Sequence, residues 1–372
     1  MRLCFIANAN SSNTRKFVEP LIARGDDVYL FTYQSANRPY PGIHALVDLT
    51  RRLNLPKIRW LIWGIYLRKT VHDIKPDVVH SHQITAAGWL GVMTQYHPFV
   101  ITSWGSDLLI EPQKSFFRRS LVQVALKQCH RLIVPSPELE TVAREIGTRT
   151  QKIRFVPWGI DSRIFNTTIN DRDQTRDELG IDKDSQVVFS PRAIKPLYNI
   201  DILISAVANL VQDYPRVQLL LIQFNPEPDY FIELQKRIRR EGLEPRVHWI
   251  PAQDSPEAMA RIYRASDIVV SIPKSDGYAL SILEAMACGV PTLITDLPAY
   301  QNDLLHNEHT IKVAVSDIAS TTAALSNLLT DTDLRLRLKE NAQQIVMQRT
   351  EQSYLTKTDQ VYQELIGALE PE

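Results

Sequence analysis

Short apolar runs alternate with longer stretches of helical period along the whole chain, and this alternation constrains the fold more than any other feature. The runs Leu3–Ala7, Val28–Thr32, Val78–His80, Phe99–Thr102, Leu132–Pro135 and Ile153–Val156 read as strands, with helical stretches near 14–24, 57–73, 85–95, 116–128 and 137–146. A second series follows at Val187–Ser190, Gln218–Ile222, Val247–Ile250, Ile268–Ser271 and Pro291–Thr295, and beyond Ser316 the chain reads as helical to its end. Continuously apolar strands are buried on both faces, and strands joined through helices run parallel. The 372 residues are enough for two cores. The expectation is therefore an α/β chain of two open, Rossmann-like parallel-sheet domains facing across a cleft.

The first domain is expected over 1–165, completed by a C-terminal helix over 351–372, and the second over 166–350. Asn166–Ser185 is polar and acidic and reads as an interdomain linker with a short helix near Arg172–Leu179. The overall charge is zero, but residues 1–160 carry 21 Lys+Arg against 11 Asp+Glu, a net of +10, and the remainder 21 against 31, a net of −10. That asymmetry gives the halves different partners, the basic half facing something anionic. No run reaches the roughly 18 apolar residues of a membrane span. The first residues are too short an apolar run for a signal peptide. Cys4, Cys129 and Cys288 are scattered without metal-ligand spacing, so a reduced, cytoplasmic protein is expected.

Several chemistries are disfavoured by missing motifs. The G-x-G-x-x-G dinucleotide fingerprint, the P-loop and the G-x-S-x-G elbow are absent, which argues against a nicotinamide or flavin enzyme, a P-loop kinase and a serine hydrolase. Three D-x-D triplets occur at Asp171/Asp173, Asp182/Asp184 and Asp331/Asp333, all in linker, turn or helix-start settings where Asp serves the backbone. No metal, cofactor or nucleic acid is expected.

The most informative stretch is Ser275 to Pro291. The strand Ile268–Ser271 leads into a loop with Asp276 and Gly277, and a helix follows from near Ala279 to Gly289, a suitable C′ residue. A helix N-terminus at the carboxyl end of a parallel strand suits a diphosphate, and Gly277 is expected to let the backbone approach it closely. Glu284 lies about 7 Å along the helix. Two acids thus bracket an anion site, one placed for a sugar and the other for a ribose diol.

This segment resembles the E-x7-E signature of retaining, two-domain (GT-B) glycosyltransferases, family 4 in particular, most specifically over Leu283 to Thr292. The resemblance extends to Asp77–His82, Ile101–Asp107, Val156–Asp161 and Ser190–Arg192. It implies transfer of a sugar from a UDP- or GDP-linked donor to a hydroxyl acceptor, as in polysaccharide, glycolipid or glycoconjugate synthesis. Glu284 would hold the ribose hydroxyls and Asp276 the sugar hydroxyls. The amides of Gly277, Tyr278, Ala279, Leu280 and Ser281 would cradle sugar and diphosphate, and Arg192 would neutralise the leaving group.

The chain departs from the family pattern in four places. Asp276 stands where a Glu is usual, and Tyr198-Asn199 where a Lys-Gly pair is usual, leaving Lys195 as a substitute cation or a solvated side chain. Trp104 replaces the family histidine, so Asp107 or His82 is considered in its place, Asp107 equally as a helix N-cap. His80 and His82 are read as pointing to opposite faces of their strand, which leaves at most one for the cleft. The loop after the first strand, with Ser11, keeps small polar donors without the usual glycines. These departures keep a sugar-nucleotide epimerase and a non-catalytic binding subunit open. Basic and aromatic residues interleave over 51–69 and 114–119. They fit either a buried crossover helix with solvated ends, the favoured reading, or peripheral membrane contact with a lipid-linked acceptor.

Overall fold

The structure, a computed structural model, describes residues 1–52, 58–253 and 255–367. Lys57 of the basic-aromatic stretch and the last five residues of the expected C-terminal helix lie outside the described residues. The chain divides into two compact units, one of Met1–Pro157 with the segment from Leu355, the other of Trp158–Tyr354.

In the first unit β1 (Arg2–Ala7), β2 (Asp27–Thr32), β3 (Ala45–Asp48), β4 (Val78–His82), β5 (Phe99–Thr102), β6 (Arg131–Val134) and β7 (Ile153–Phe155) form one sheet, in the order β3-β2-β1-β4-β5-β6-β7. Every neighbouring pair is parallel. The second unit holds β8 (Gln186–Ser190), β9 (Val217–Gln223), β10 (Val247–Pro251), β11 (Ile268–Ser271), β12 (Thr292–Thr295) and β13 (Ile311–Val313), in the order β10-β9-β8-β11-β12-β13, again all parallel. Each unit is thus a Rossmann-like open sheet, and in each the strand order reverses beside the first strand, which opens a crevice at the carboxyl edge. No helix among the described residues is long and apolar enough to cross a membrane.

The two strands absent from the sequence reading, β3 and β13, are edge strands. β3 is half-buried throughout and β13 has only three residues, so neither shows the continuous apolar run of an interior strand. The segment 166–185 is part of the second unit instead of a free linker. Its helix Arg172–Glu178 packs on the helix Pro256–Ala265, with Asp171 accepting from Arg264 at 2.6 and 2.7 Å. Ile160 and Thr350 form a β-bridge, with Ile160 donating to Arg349 O and Glu351 to Ile160 O. This pairing ties both ends of the second unit together, so the passages lie at Pro157–Trp158 and Tyr354–Leu355 instead of at 165/166 and 350/351.

Arg176 anchors this segment. Its guanidinium is wholly buried and donates to the carbonyls of Ala265, Lys183 and Ser185 and to Asp267, at 2.7–2.9 Å. Removing a buried cation orphans its partners at a typical cost of about 3 kcal/mol or more. Arg176→Met is expected to lower the urea midpoint of the second unit by a corresponding amount; an unchanged midpoint would contradict the anchoring role.

Candidate functional site

In the second unit the carboxyl ends of β8 and β11 lie side by side, and the site is built where they meet. The loop after β8 carries Arg192, and the loop after β11 carries Asp276. Their side chains meet at 2.9 Å with 13% and 10% of their surface exposed. The contact is ionic without hydrogen-bond alignment, so Asp276 Oδ2 is buried with no hydrogen-bond donor. The Arg192 guanidinium also lies over the Tyr198 ring, 4.3 Å from its centre. Burial alone would lower the pKa of Arg192, but the charge of Asp276 and the neighbouring Tyr198 and Tyr300 outweigh it and hold the guanidinium firmly protonated.

Asn199 fixes the first loop. It adopts φ +52°, a left-handed conformation Asn tolerates better than most residues. Its amide donates to Ile272 O at 2.9 Å, linking the two loops. Lys195 is half-buried and makes no ion pair or side-chain hydrogen bond among the described residues.

The second loop differs from the sequence expectation at Gly277. The positive φ, +124°, falls on Tyr278. Such a conformation in a bulky residue costs about 1–3 kcal/mol and persists only where its surroundings impose it. Here the Tyr278 hydroxyl donates to Asp303 at 3.0 Å, its ring packs against Tyr300 and beneath the Arg349 guanidinium, and Arg349 in turn pairs with Asp303. Burial pushes the Tyr278 phenol up to about 12.

Two of the five amides expected to cradle an anion are already engaged. Tyr278 N–H reaches Asp276 Oδ1 at 3.4 Å, and Ala279 N–H donates to the Tyr300 hydroxyl at 3.2 Å. Leu280 and Ser281 begin the helix Leu280–Ala287, and their amides have no preceding turn to bond to. Ser281 Oγ is buried without a hydrogen-bond partner. Gly289, at φ +73°, follows the end of the helix. Glu284 is 3% exposed on the helix's second turn and accepts from the Tyr263 hydroxyl at 3.0 Å. Burial and the Glu284 charge raise the Tyr263 pKa well above the ordinary tyrosine value.

Tyr263, Tyr300 and the Tyr278–Asp303–Arg349 cluster escaped the sequence reading. Nothing in the spacing of the helix Pro256–Ala265 distinguishes Tyr263 from an ordinary core aromatic. Of the D-x-D acids, Asp171 accepts from Arg264, Asp182 from the Asp184 amide and Asp331 from the Leu334 amide. Among the described residues no three His, Cys, Asp or Glu side chains converge.

In the first unit the candidates behave differently. His80 and His82 do not point to opposite faces: residues two apart on a strand share a face, and the two rings are 4.9 Å apart, both against Phe5. His80 bonds Tyr362 and Thr102 at 2.7 Å. His82 is enclosed by Phe5, Phe17 and Trp104, and neither of its ring nitrogens has a hydrogen-bond partner. Burial lowers its pKa to about 3 and that of His80 well below the ordinary value. Burial among these rings thus holds His82 neutral.

Asp107 is buried and accepts from the amides of Ile84, Trp104 and Gly105 and from the Ser103 hydroxyl at 2.7–3.1 Å. It is not an N-cap, lying inside the short helix Ser106–Leu109 and bonding backwards to shape the loop. Burial raises its pKa, and those four donors oppose the rise. Ser11 precedes the helix Ser12–Ala23, and its side chain makes no capping bond.

Two family models match the chain, Glycosyl transferase 4-like over residues 2–136 and Glycosyl transferases group 1 over 171–345. D-inositol 3-phosphate glycosyltransferase of Segniliparus rotundus is 35% identical over 303 residues, 73% of this chain and 66% of that protein. The enzyme of the same name from Rhodococcus opacus is 31% identical over 59% of this chain and 52% of its own length. The matches thus span about half to two thirds of these relatives. Anabaena HepE, solved with UDP and glucose, superposes with a TM-score of 0.84 at 19% identity, covering 99% of this chain and 100% of that one. The fold is GT-B, and the chain belongs to the family 4 glycosyltransferases.

The histidines give a signed pH dependence. The folded pKa of His82 lies near 3 against 6.5 unfolded, so its contribution to stability is complete above the unfolded value and is lost as pH falls through that window. His80 acts with the same sign. Urea midpoints for the first unit are expected to fall between about pH 7 and about pH 4, and His82→Leu should flatten part of that slope. An identical slope in the variant would show that His82 does not titrate differently on folding.

Proposed function

We propose that this chain transfers a sugar from a nucleoside-diphosphate sugar to a hydroxyl acceptor, with retention at the anomeric carbon and without a metal ion. The observation that carries the reading is the Arg192–Asp276 pair beside an open helix start, where Ser281 Oγ is buried without a partner. Fixed cations and helix amides favour a diphosphate. When it binds, Arg192 exchanges Asp276 for phosphate oxygens, and the released carboxylate accepts from the sugar hydroxyls. Glu284, oriented by Tyr263, is placed for the ribose diol.

In the reaction the bond from C1 to the diphosphate oxygen breaks, a bond from C1 to the acceptor oxygen forms on the same face, and the acceptor's proton passes to the departing diphosphate. Two facts favour the diphosphate as base. His82 is enclosed and neutral, and the Asp107 carboxylate is occupied by four donors.

The acceptor is proposed to be anionic or lipid-linked. The name of the inositol 3-phosphate relatives and the +10 charge of residues 1–160 both favour a negatively charged partner. A role in polysaccharide, glycolipid or glycoconjugate synthesis follows from such an acceptor. The three buried cysteines, none in a disulfide, suit the reducing cytoplasm.

Asp276→Asn tests the exchange. With its counter-ion removed, Arg192 should bind UDP or GDP more tightly by calorimetry, while turnover falls about 100-fold. Weaker nucleotide binding in the variant would oppose the exchange. Glu284→Gln keeps a partner for Tyr263 and should cost about 100-fold in kcat/KM with an unchanged urea midpoint. Near-normal rates in that variant would sink the assignment. Turnover should survive EDTA; loss restored by a divalent ion would overturn metal independence.

A further inference from the structure

A cation-lined cavity lies at the edge of the second sheet that the proposed chemistry does not use. Asp267 stands immediately before β11 and Pro291 immediately before β12, and these strands pair in parallel, so both residues mark the amino edge. Arg192 and Asp276 follow β8 and β11, at the carboxyl edge. A cavity of about 180 Å³ opens beside Asp267 and Pro291. The helix Arg172–Glu178 brings Arg172 to it, and the helix Thr332–Gln348 brings Thr332, Arg335 and Lys339. Spacings of three and four put those last three residues on one helical face.

Charge is unbalanced there. Asp267 is the one acid among the residues that line the cavity, and both its oxygens are occupied. Oδ1 accepts from Arg172 at 2.5 Å, and Oδ2 accepts from the buried Arg176 and from the Val187 amide at 2.7 Å. Arg335 and Lys339 meet no carboxylate among the described residues. Like charges around one cavity repel, and a bound anion relieves that repulsion.

The cations are held ready for such an anion. Arg335 donates to Leu328 O at 2.6 Å and to Thr332 Oγ1 at 3.0 Å, which fixes its guanidinium while engaging two of its five donors. Thr332 Oγ1, an acceptor in that bond, keeps its own proton to donate. Lys339 lies against Gly289, where a Cβ would stand 2.8 Å from Lys339 Cε and 2.7 Å from Thr167 Cγ2. The glycine, at φ +73°, thus leaves the lysine stem its place on the cavity wall. The Ser266 hydroxyl and the Gly289 and Val290 amides are bonded locally, so the donors that remain belong to side chains. Complementing the carbonyl end of the helix Leu280–Ala287 would account for Lys339 alone. It does not account for the convergence of Arg172 and Arg335 on the same space.

We propose that this cavity binds a phosphomonoester dianion, at a site separate from the diphosphate site of the carboxyl edge. Tetrahedral, doubly charged oxygens match two guanidinium forks and an ammonium, whereas a carboxylate brings a single charge. The volume is that of about six water molecules, room for a phosphate group and little more. Bound there, the anion bridges the helix Arg172–Glu178 to the helix Thr332–Gln348 and stabilises the second unit. The proposal does not rest on the transferase reading.

Calorimetric titration of the full chain with inorganic phosphate and with glycerol 3-phosphate, at an ionic strength held near about 0.15 M with sodium chloride, tests it. Both are expected to bind saturably in the millimolar range or below, and to raise the urea midpoint. Lys339→Gln, at an exposed position, should keep the parent's circular dichroism spectrum and its urea midpoint in chloride. It should weaken phosphate binding about tenfold, and Lys339→Glu should abolish it. Lys236→Gln, an exposed change on the helix Pro228–Arg240, should bind as the parent does. Tighter binding of the ester would assign the site to a phosphorylated metabolite, and tighter binding of inorganic phosphate to the free anion. No saturable binding would overturn the proposal. So would parent-like binding by both Lys339 variants, which would place the anion elsewhere, at Arg192 in particular.

Discussion

The ion pair between Arg192 and Asp276 is the interaction on which the site in the second unit depends. It closes the crevice between the carboxyl ends of β8 and β11 with two charges nine-tenths or so buried. Two such charges are tolerated only because each neutralises the other, with the Tyr198 ring packed against the guanidinium. The pairing is ionic without good hydrogen-bond geometry, and that makes it exchangeable. In the proposed reaction a diphosphate would offer Arg192 more oxygens and better alignment, and the displaced aspartate would accept from sugar hydroxyls. The shorter side chain of Asp, compared with the Glu usual in this family, still spans the distance to Arg192.

Around this pair the rest of the site is held by aromatic hydroxyls. Tyr263 orients Glu284, Tyr300 takes the Ala279 amide, and Tyr278 sits in a strained backbone conformation imposed by Asp303 and Arg349. The strain belongs to the loop that leads into the helix Leu280–Ala287, where a relaxed alternative would move the amides of the helix start. Asn199 performs the matching task on the other loop through its left-handed backbone and its bond to Ile272.

Much of the architecture was legible because interior strands of parallel sheets are apolar on successive residues. The edge strands β3 and β13 were not, since half-exposed or three-residue strands carry no such run. The acidic segment 166–185 looked like a linker because its structure comes from buried ion pairs of Arg176 and Asp171 with distant residues, which composition hides. In the site, Asp276 and Glu284 were singled out through the E-x7-E resemblance, and Arg192 through the separate Ser190–Arg192 run. Their pairing was not, because it is a contact between two loops far apart in sequence. Placing the freedom at Gly277 instead of Tyr278 followed a sound preference that tertiary packing overrode. His80 and His82 were misread by a simpler error, since a period of two puts them on one face.

The central claim, that the second unit binds and activates a nucleoside-diphosphate sugar, is tested most directly by incubating the protein with UDP-, GDP- and ADP-sugars separately and following nucleotide release and the anomer formed by NMR. Slow release from one α-linked donor, giving an α-configured sugar before mutarotation, is the predicted result. Turnover of the donor into an epimeric nucleotide sugar, or neither binding nor release with any donor, would contradict it.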